Sequence, residues 1–192
     1  MQNGVSYNLY GFGVVLVFTP DNPRRKEMNL MKQFSSTAAI FLLVVLSSGA
    51  AIASCGDGVL YNETFDGNLR INSDDYNCSI IGSTIAGNLT VTNVNNLLLL
   101  NNKVGGEIQI DGNANTGTAN VIANTVMTGV LKVVDMEVVN VIENETLSGP
   151  IRVNNNISAL VQKNISADNL SCKGNTALTS FFNFAVGSVN CN

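Results

Sequence analysis

Glu107 and Asp111, four residues apart, and the bases Arg70, Lys132 and Arg152 are the side chains with which chemistry could start in this sequence. A carboxyl pair can share general-acid and general-base duties across a glycosidic bond, provided the two groups stand roughly 5 to 9.5 Å apart. An arginine can grip polar oxygens through its planar guanidinium. The chain has no His, so imidazole bases, Ser-His-Asp and Cys-His relays and His metal ligands are excluded. Charged residues make up 12% of the 192, about half the usual share, so no dense ionic network is available. A formal net charge of −4 and a pI near 4.6 speak against a phosphate-neutralising surface and hence against nucleic acid as a partner.

An internal repeat must position these groups. Leu69, Leu89, Ile108, Leu131, Ile151 and Leu170 each hold the first apolar position of a unit that reads turn residue, variable, apolar, polar, apolar, at steps of 20, 19, 23, 20 and 19 residues. That alternation is a strand with one side inward. A second apolar column runs through Leu98, Val121, Val141 and Val161, followed three residues later by Asn101, Asn124, Asn144 and Asn164. A third runs through Ile85, Val104, Val126, Leu147 and Ile165. Three short strands per unit, repeated about six times, predict an all-β fold, a β-solenoid with coils of roughly 20 residues. The abundant Asn argues against helices. It belongs at corners, where it tolerates positive φ and stacks amide on amide.

The first fifty-odd residues read as a leader. Lys32 supplies a positive start, residues 38–46 an apolar core, and Ala51, Ile52 and Ala53 an A-x-A cleavage site before Ser54. The expected organisation is an upstream extension over 1–30, a signal peptide over 31–53 and a β-helix over 54–192. Lys26 and Glu27 can be encoded by a bacterial ribosome-binding sequence, which would make Met31 the true start. Removing the leader with its four bases and two acids takes the formal net charge from −4 to −6. No segment is continuously apolar over the roughly 18 residues a membrane span needs. Cys55, Cys78, Cys172 and Cys191 form an even set in an exported chain, which favours two disulfides. In the coil layout they pair at the ends, Cys55 with Cys78 and Cys172 with Cys191. Each closes a loop of about 20 residues and contributes on the order of 3 kcal/mol. The alternative is a lipoprotein acylated at Cys55. Phe181, Phe182 and Phe184 are expected to fold over the C-terminal end of the core.

Cys55, the stretch Phe65 to Ile71, Cys78, the stretch Gly82 to Val91, and the closing Asn169 to Thr176 with Cys191 together resemble small secreted bacterial β-solenoid repeat proteins. The resemblance covers nearly all of 54–192. It implies a right-handed parallel β-helix and export, and it carries no established activity. Asp168, in place of a turn Gly, and Pro150 depart from the pattern.

Parallel β-helices often host polysaccharide lyases and hydrolases, so a pectate-lyase-like carbohydrate-active enzyme is the alternative reading. The outward row between the inward residues is Arg70, Thr90, Gln109, Lys132, Arg152 and Ser171. Only one coil brings acids to its flanks, Glu107 and Asp111, and four strand residues separate them by about 13 Å. Catalytic residues are therefore expected to be none, and likewise cofactor and metal sites. Asp74 with Asp75 and Asp135 with Glu137 lack a Ca²⁺-loop pattern. Thr90 and Thr92 form a single T-x-T, not an ice-binding array. Seven N-x-[ST] sequons read as composition in an Asn-rich chain. Arg70, Thr90, Gln109, Lys132 and Arg152 form a candidate glycan-binding face. The expectation is thus an exported, non-enzymatic structural or interaction protein, secreted or at the cell surface. Its partner would be an extracellular polysaccharide or envelope component. Capped ends imply a monomer, whereas uncapped coils would stack between molecules. The long step between Asp111 and Thr118 is the one sizeable loop insertion.

Overall fold

The computed structural model describes residues 9–10, 13–14, 51–52, 58–72, 77–112 and 116–191. Most of the leader, Cys55 and the Asp74 and Asp75 pair lie outside these residues. Two compact units arise, Met1–Val45 and Leu46–Asn192. In the first, Leu9–Tyr10 pairs antiparallel with Gly13–Val14.

The second unit is a β-solenoid of three parallel sheets, and no helix occurs among the described residues. Its long wall stacks Val59–Tyr61, Asn77–Ile81, Asn96–Leu100, Thr118–Ile122, Val138–Ile142, Ser158–Gln162 and Ala177–Phe181. The short wall stacks seven two-residue strands, from Thr64–Phe65 to Phe184–Ala185. The third wall runs from Ala51–Ile52 through Leu69–Asn72, Leu89–Thr92, Ile108–Asp111, Leu131–Val134, Ile151–Asn154 and Leu170–Ser171 to Val189–Asn190. Seven rungs of one strand from each wall give six steps of about 20 residues, each rising about 4.8 Å. Every strand thus pairs with a chain segment one coil away, as in Ala86 N–H donating to Phe65 O at 2.8 Å.

Alternation sets the core. In each complete five-residue strand the second and fourth side chains point inward, and in the complete four-residue strands the first and third do. Leu69, Leu89, Ile108, Leu131, Ile151 and Leu170 are all fully buried in one column, as the repeat predicts. The second column differs by one residue in one rung. Leu99, not Leu98, stacks under Val121, and Asn102, not Asn101, under Asn124. The run Leu97 to Leu100 is apolar throughout, so hydropathy cannot fix its phase. The buried amide fixes it instead.

The third column departs further. Ile85, Val104 and Val126 are inward, but the next two rungs place Thr146 and Ser166 there. Leu147 and Ile165 project outward instead, each nearly half exposed. Thr146 and Ser166 remain inside because both hydroxyls donate to the Gly149 carbonyl, which satisfies the polar groups that burial would otherwise strand.

One corner carries a ladder of buried amides. Asn102, Asn124, Asn144 and Asn164 each donate Nδ2–H to the Oδ1 of the next rung, at 3.0 to 3.1 Å, ending on Asn183. Immediately before each, the backbone turns left-handed, at Asn101, Ala123, Glu143, Lys163 and Phe182, with φ of 54° to 57°. Only Asn among these is a natural left-handed residue. The ladder therefore imposes the turn whatever residue precedes it.

At the corner before the third wall, Gly87 and Gly106 have no left-handed φ, and their role is closeness. A Cβ at Gly87 would run into the Asn68 side chain and the Gly67 backbone. Asp168 occupies the same column without positive φ. Pro150 immediately precedes its strand, and its carbonyl accepts from Leu131 N–H at 3.1 Å.

The C-terminal rung is closed by the Cys172–Cys191 disulfide, as expected from the sequence. Cys78 is disulfide-bonded as well. The aromatic residues do not cover this end. Phe181 and Phe182 pack edge to face at 5.4 Å on the outside, and Phe182 is 81% exposed. Phe182 sits at the left-handed corner, which directs its ring away from the interior.

Candidate functional site

Arg70, Thr90, Gln109, Lys132, Arg152 and Ser171 are successive Cα partners along the third wall, hereafter the cationic wall. Leu, Ile and Val on either side of each, with Cys172 in that place after Ser171, turn inward and hold the row at a rung spacing of about 4.8 Å. Arg70 and Arg152 are exposed, and Thr90, Gln109, Lys132 and Ser171 are half-buried by their neighbours. The sequence placed every member of this row correctly, because the Gly and the alternating pair that follows it pin the register.

Lys132 and Arg152 are directly opposed, an arrangement that costs a few tenths of a kcal/mol or more between like charges. Among the described residues neither forms an ion pair. The pair that does form joins Lys163 Nζ to Glu143 Oε1 at 3.1 Å, on the corner and half exposed on both sides. The two guanidinium groups and the ammonium group of the cationic wall therefore keep their donors for solvent or a ligand.

Amides frame this row. Asn88 Oδ1 accepts from Glu107 N–H at 3.0 Å, and Asn68 Oδ1 from Asn88 N–H at 2.8 Å. On the opposite flank Asn154 Oδ1 accepts from Lys173 N–H at 2.8 Å. These bonds consume the Asn oxygens in holding the rungs together. Ligand contacts would accordingly come from the central row, not from the flanks.

Glu107 and Asp111 bracket the strand Ile108–Asp111 from its two edges, about 13 Å apart along the chain. Asp111 stacks between Thr92 and Val134, so no second carboxylate faces it from an adjacent rung. No group of three or more His, Cys, Asp or Glu that could hold a metal ion occurs among the described residues. No helix there is long and apolar enough to cross a membrane.

Sequence reasoning overlooked the outer side of the long wall. Ile81, Leu100, Ile122 and Ile142 occupy one outward row there. The signal was present as two consecutive apolar residues before each corner, of which alternation can bury only one. Comparison of the chain with protein-family models, curated proteins and solved structures returns no match.

Proposed function

We propose that the protein is an exported, non-enzymatic β-solenoid whose cationic wall binds an extended polysaccharide at the cell surface or outside the cell. The observation that supports this reading is the register: Arg70, Thr90, Gln109, Lys132 and Arg152 stand in one row, with Lys132 and Arg152 side by side despite their like charge. Such a row offers guanidinium, hydroxyl, amide and ammonium donors along a line. A chain of sugar hydroxyls or carboxylates matches that geometry, with arginine supplying paired donors. The separation of Glu107 from Asp111 supports a binding role over hydrolysis.

A glycan array tests this. The protein should be retained on a subset of polysaccharides, and Arg70→Ala combined with Arg152→Ala should weaken retention by about tenfold or more, the loss of roughly two charge-assisted contacts. Equal retention by the double variant, or none by the wild type, refutes it. Export predicts a mature chain beginning at Ser54, readable by mass spectrometry of the extracellular fraction. An acylated Cys55 would instead assign a lipoprotein.

A further inference from the structure

The long wall carries no Asp, Glu, Lys or Arg in any of its seven strands. The other two walls do not share this neutrality, since Lys103 and Glu145 lie on the short wall and three bases on the cationic one. On the outside of the long wall one apolar row climbs from Tyr61 through Ile81, Leu100, Ile122 and Ile142 to Phe181, interrupted at Gln162. Tyr61 is 63% exposed and Phe181 38%, and those between are half-buried. Beside this row, Asn140 Nδ2–H donates to Asn120 Oδ1 at 2.8 Å, so the polar residues there are partly satisfied within the wall.

We propose that the long wall is a self-association face, on which two copies of this chain pack sheet against sheet. The inference rests on the fold alone and is independent of the glycan reading. Five strand residues span about 16 Å and six rung steps about 29 Å, a planar area on the order of 470 Å² per copy. Two copies would bury about 940 Å² before side-chain relief is added, above most crystal contacts and in the range of weak, reversible association.

The wall's neutrality selects its partner. Copies bearing a net charge of −4 repel one another elsewhere, but this face brings no charge into contact and leaves none to be buried unpaired. A charged polymer or protein finds nothing on it to pair with. Both surfaces also share one rung spacing, so ridges and grooves mesh as in sheet-on-sheet packing at about 10 Å. A two-fold axis along the strands lays the row upon itself, with Ile122 over Ile122 and Tyr61 of one copy over Phe181 of the other. Expected capping of the solenoid ends limits end-to-end growth and leaves this lateral face untouched.

Sedimentation of the chain, expressed from its full reading frame and purified as the cell leaves it, tests the proposal. The wild type should sediment at twice the single-chain mass. Ile122→Lys with Ile142→Lys should raise the dissociation constant by about 100-fold or more, because like charges then meet across the interface. The short-wall variant Lys103→Ala should dimerise as the wild type does. Ile122→Cys guards against misfolding of the lysine variant: two copies should cross-link through the introduced thiol when treated with a bifunctional thiol reagent that spans about 10 Å, the spacing of packed sheets. A wild type that stays monomeric overturns the proposal, whether its wall is covered by its own N-terminal residues or takes up lipid vesicles instead. A folded lysine variant that still dimerises, or an Ile122→Cys chain that never cross-links, overturns it equally.

Discussion

The carboxamide of Asn144 is bonded on every side within the solenoid. Its Nδ2 donates to Val121 O at 2.7 Å, to Ile142 O at 3.1 Å and to Asn164 Oδ1 at 3.1 Å, while its Oδ1 accepts from both nitrogens of Asn124 at 3.0 Å. Removing it leaves several buried partners unsatisfied, so Asn144→Ala should cost about 3 kcal/mol in denaturant unfolding. Asn140→Ala on the outer surface should cost about 0.5 kcal/mol, near the scale of an ordinary surface change. Ala123 holds a left-handed φ of 54° without glycine's or asparagine's tolerance for it. Ala123→Asn should therefore stabilise the protein by about 0.5 to 1 kcal/mol, measured as a rise in denaturant midpoint. That Asn residues form the corners was legible in the sequence. Which of Asn101 and Asn102 turns inward was not, because the two side chains are identical and only the ladder distinguishes their positions.

Among the elements, the four-residue strands were the most legible. Each begins behind a turn residue and alternates over its first three positions, so both the buried column and the cationic row follow from residue type alone. The long wall was less so, since the apolar run Leu97 to Leu100 satisfies two registers equally. The short wall misled in two rungs for a different reason. The Thr146 and Ser166 hydroxyls find the Gly149 carbonyl as acceptor inside, and Leu147 and Ile165 then fall on the outside. The last rung rests on one neighbour and on the Cys172–Cys191 bridge, with a sequence separation of 19. Reducing that bridge should cost about 3 kcal/mol of stability. Hydrogen exchange should show the loss concentrated in Ala177–Phe181 and Val189–Asn190, with Thr118–Ile122 still protected.

At the scale of the whole molecule, each rung touches only the rungs beside it, so stability is carried as a sum of neighbour interfaces. Opening should begin at the C-terminal rung, where Phe182, Phe184, Val186 and Val189 are already exposed, and proceed inward. Native-state exchange should rank protection accordingly, highest around rungs three to five and lowest at rung seven. Uniform protection along the axis would contradict this. The solenoid itself was legible from the period. The use of its walls was not, because periodicity says which residues face outward and nothing about what meets them.

The amide ladder from Asn102 to Asn183 also has a sense of travel. Asn102, Asn124, Asn144 and Asn164 each donate from Nδ2 both to the amide oxygen of the next rung and to a backbone carbonyl of the previous one, and every ladder Oδ1 faces the previous rung. Five side-chain dipoles thus add head to tail, with the positive end at the C-terminal rung, as aligned peptide dipoles do in a helix. Each bond polarises the next. A single reversed carboxamide would set oxygen against oxygen on one side and nitrogen against nitrogen on the other. Once the first amide has chosen its orientation, every later rung inherits it, so the corner acts as a compass that gives the growing stack one direction.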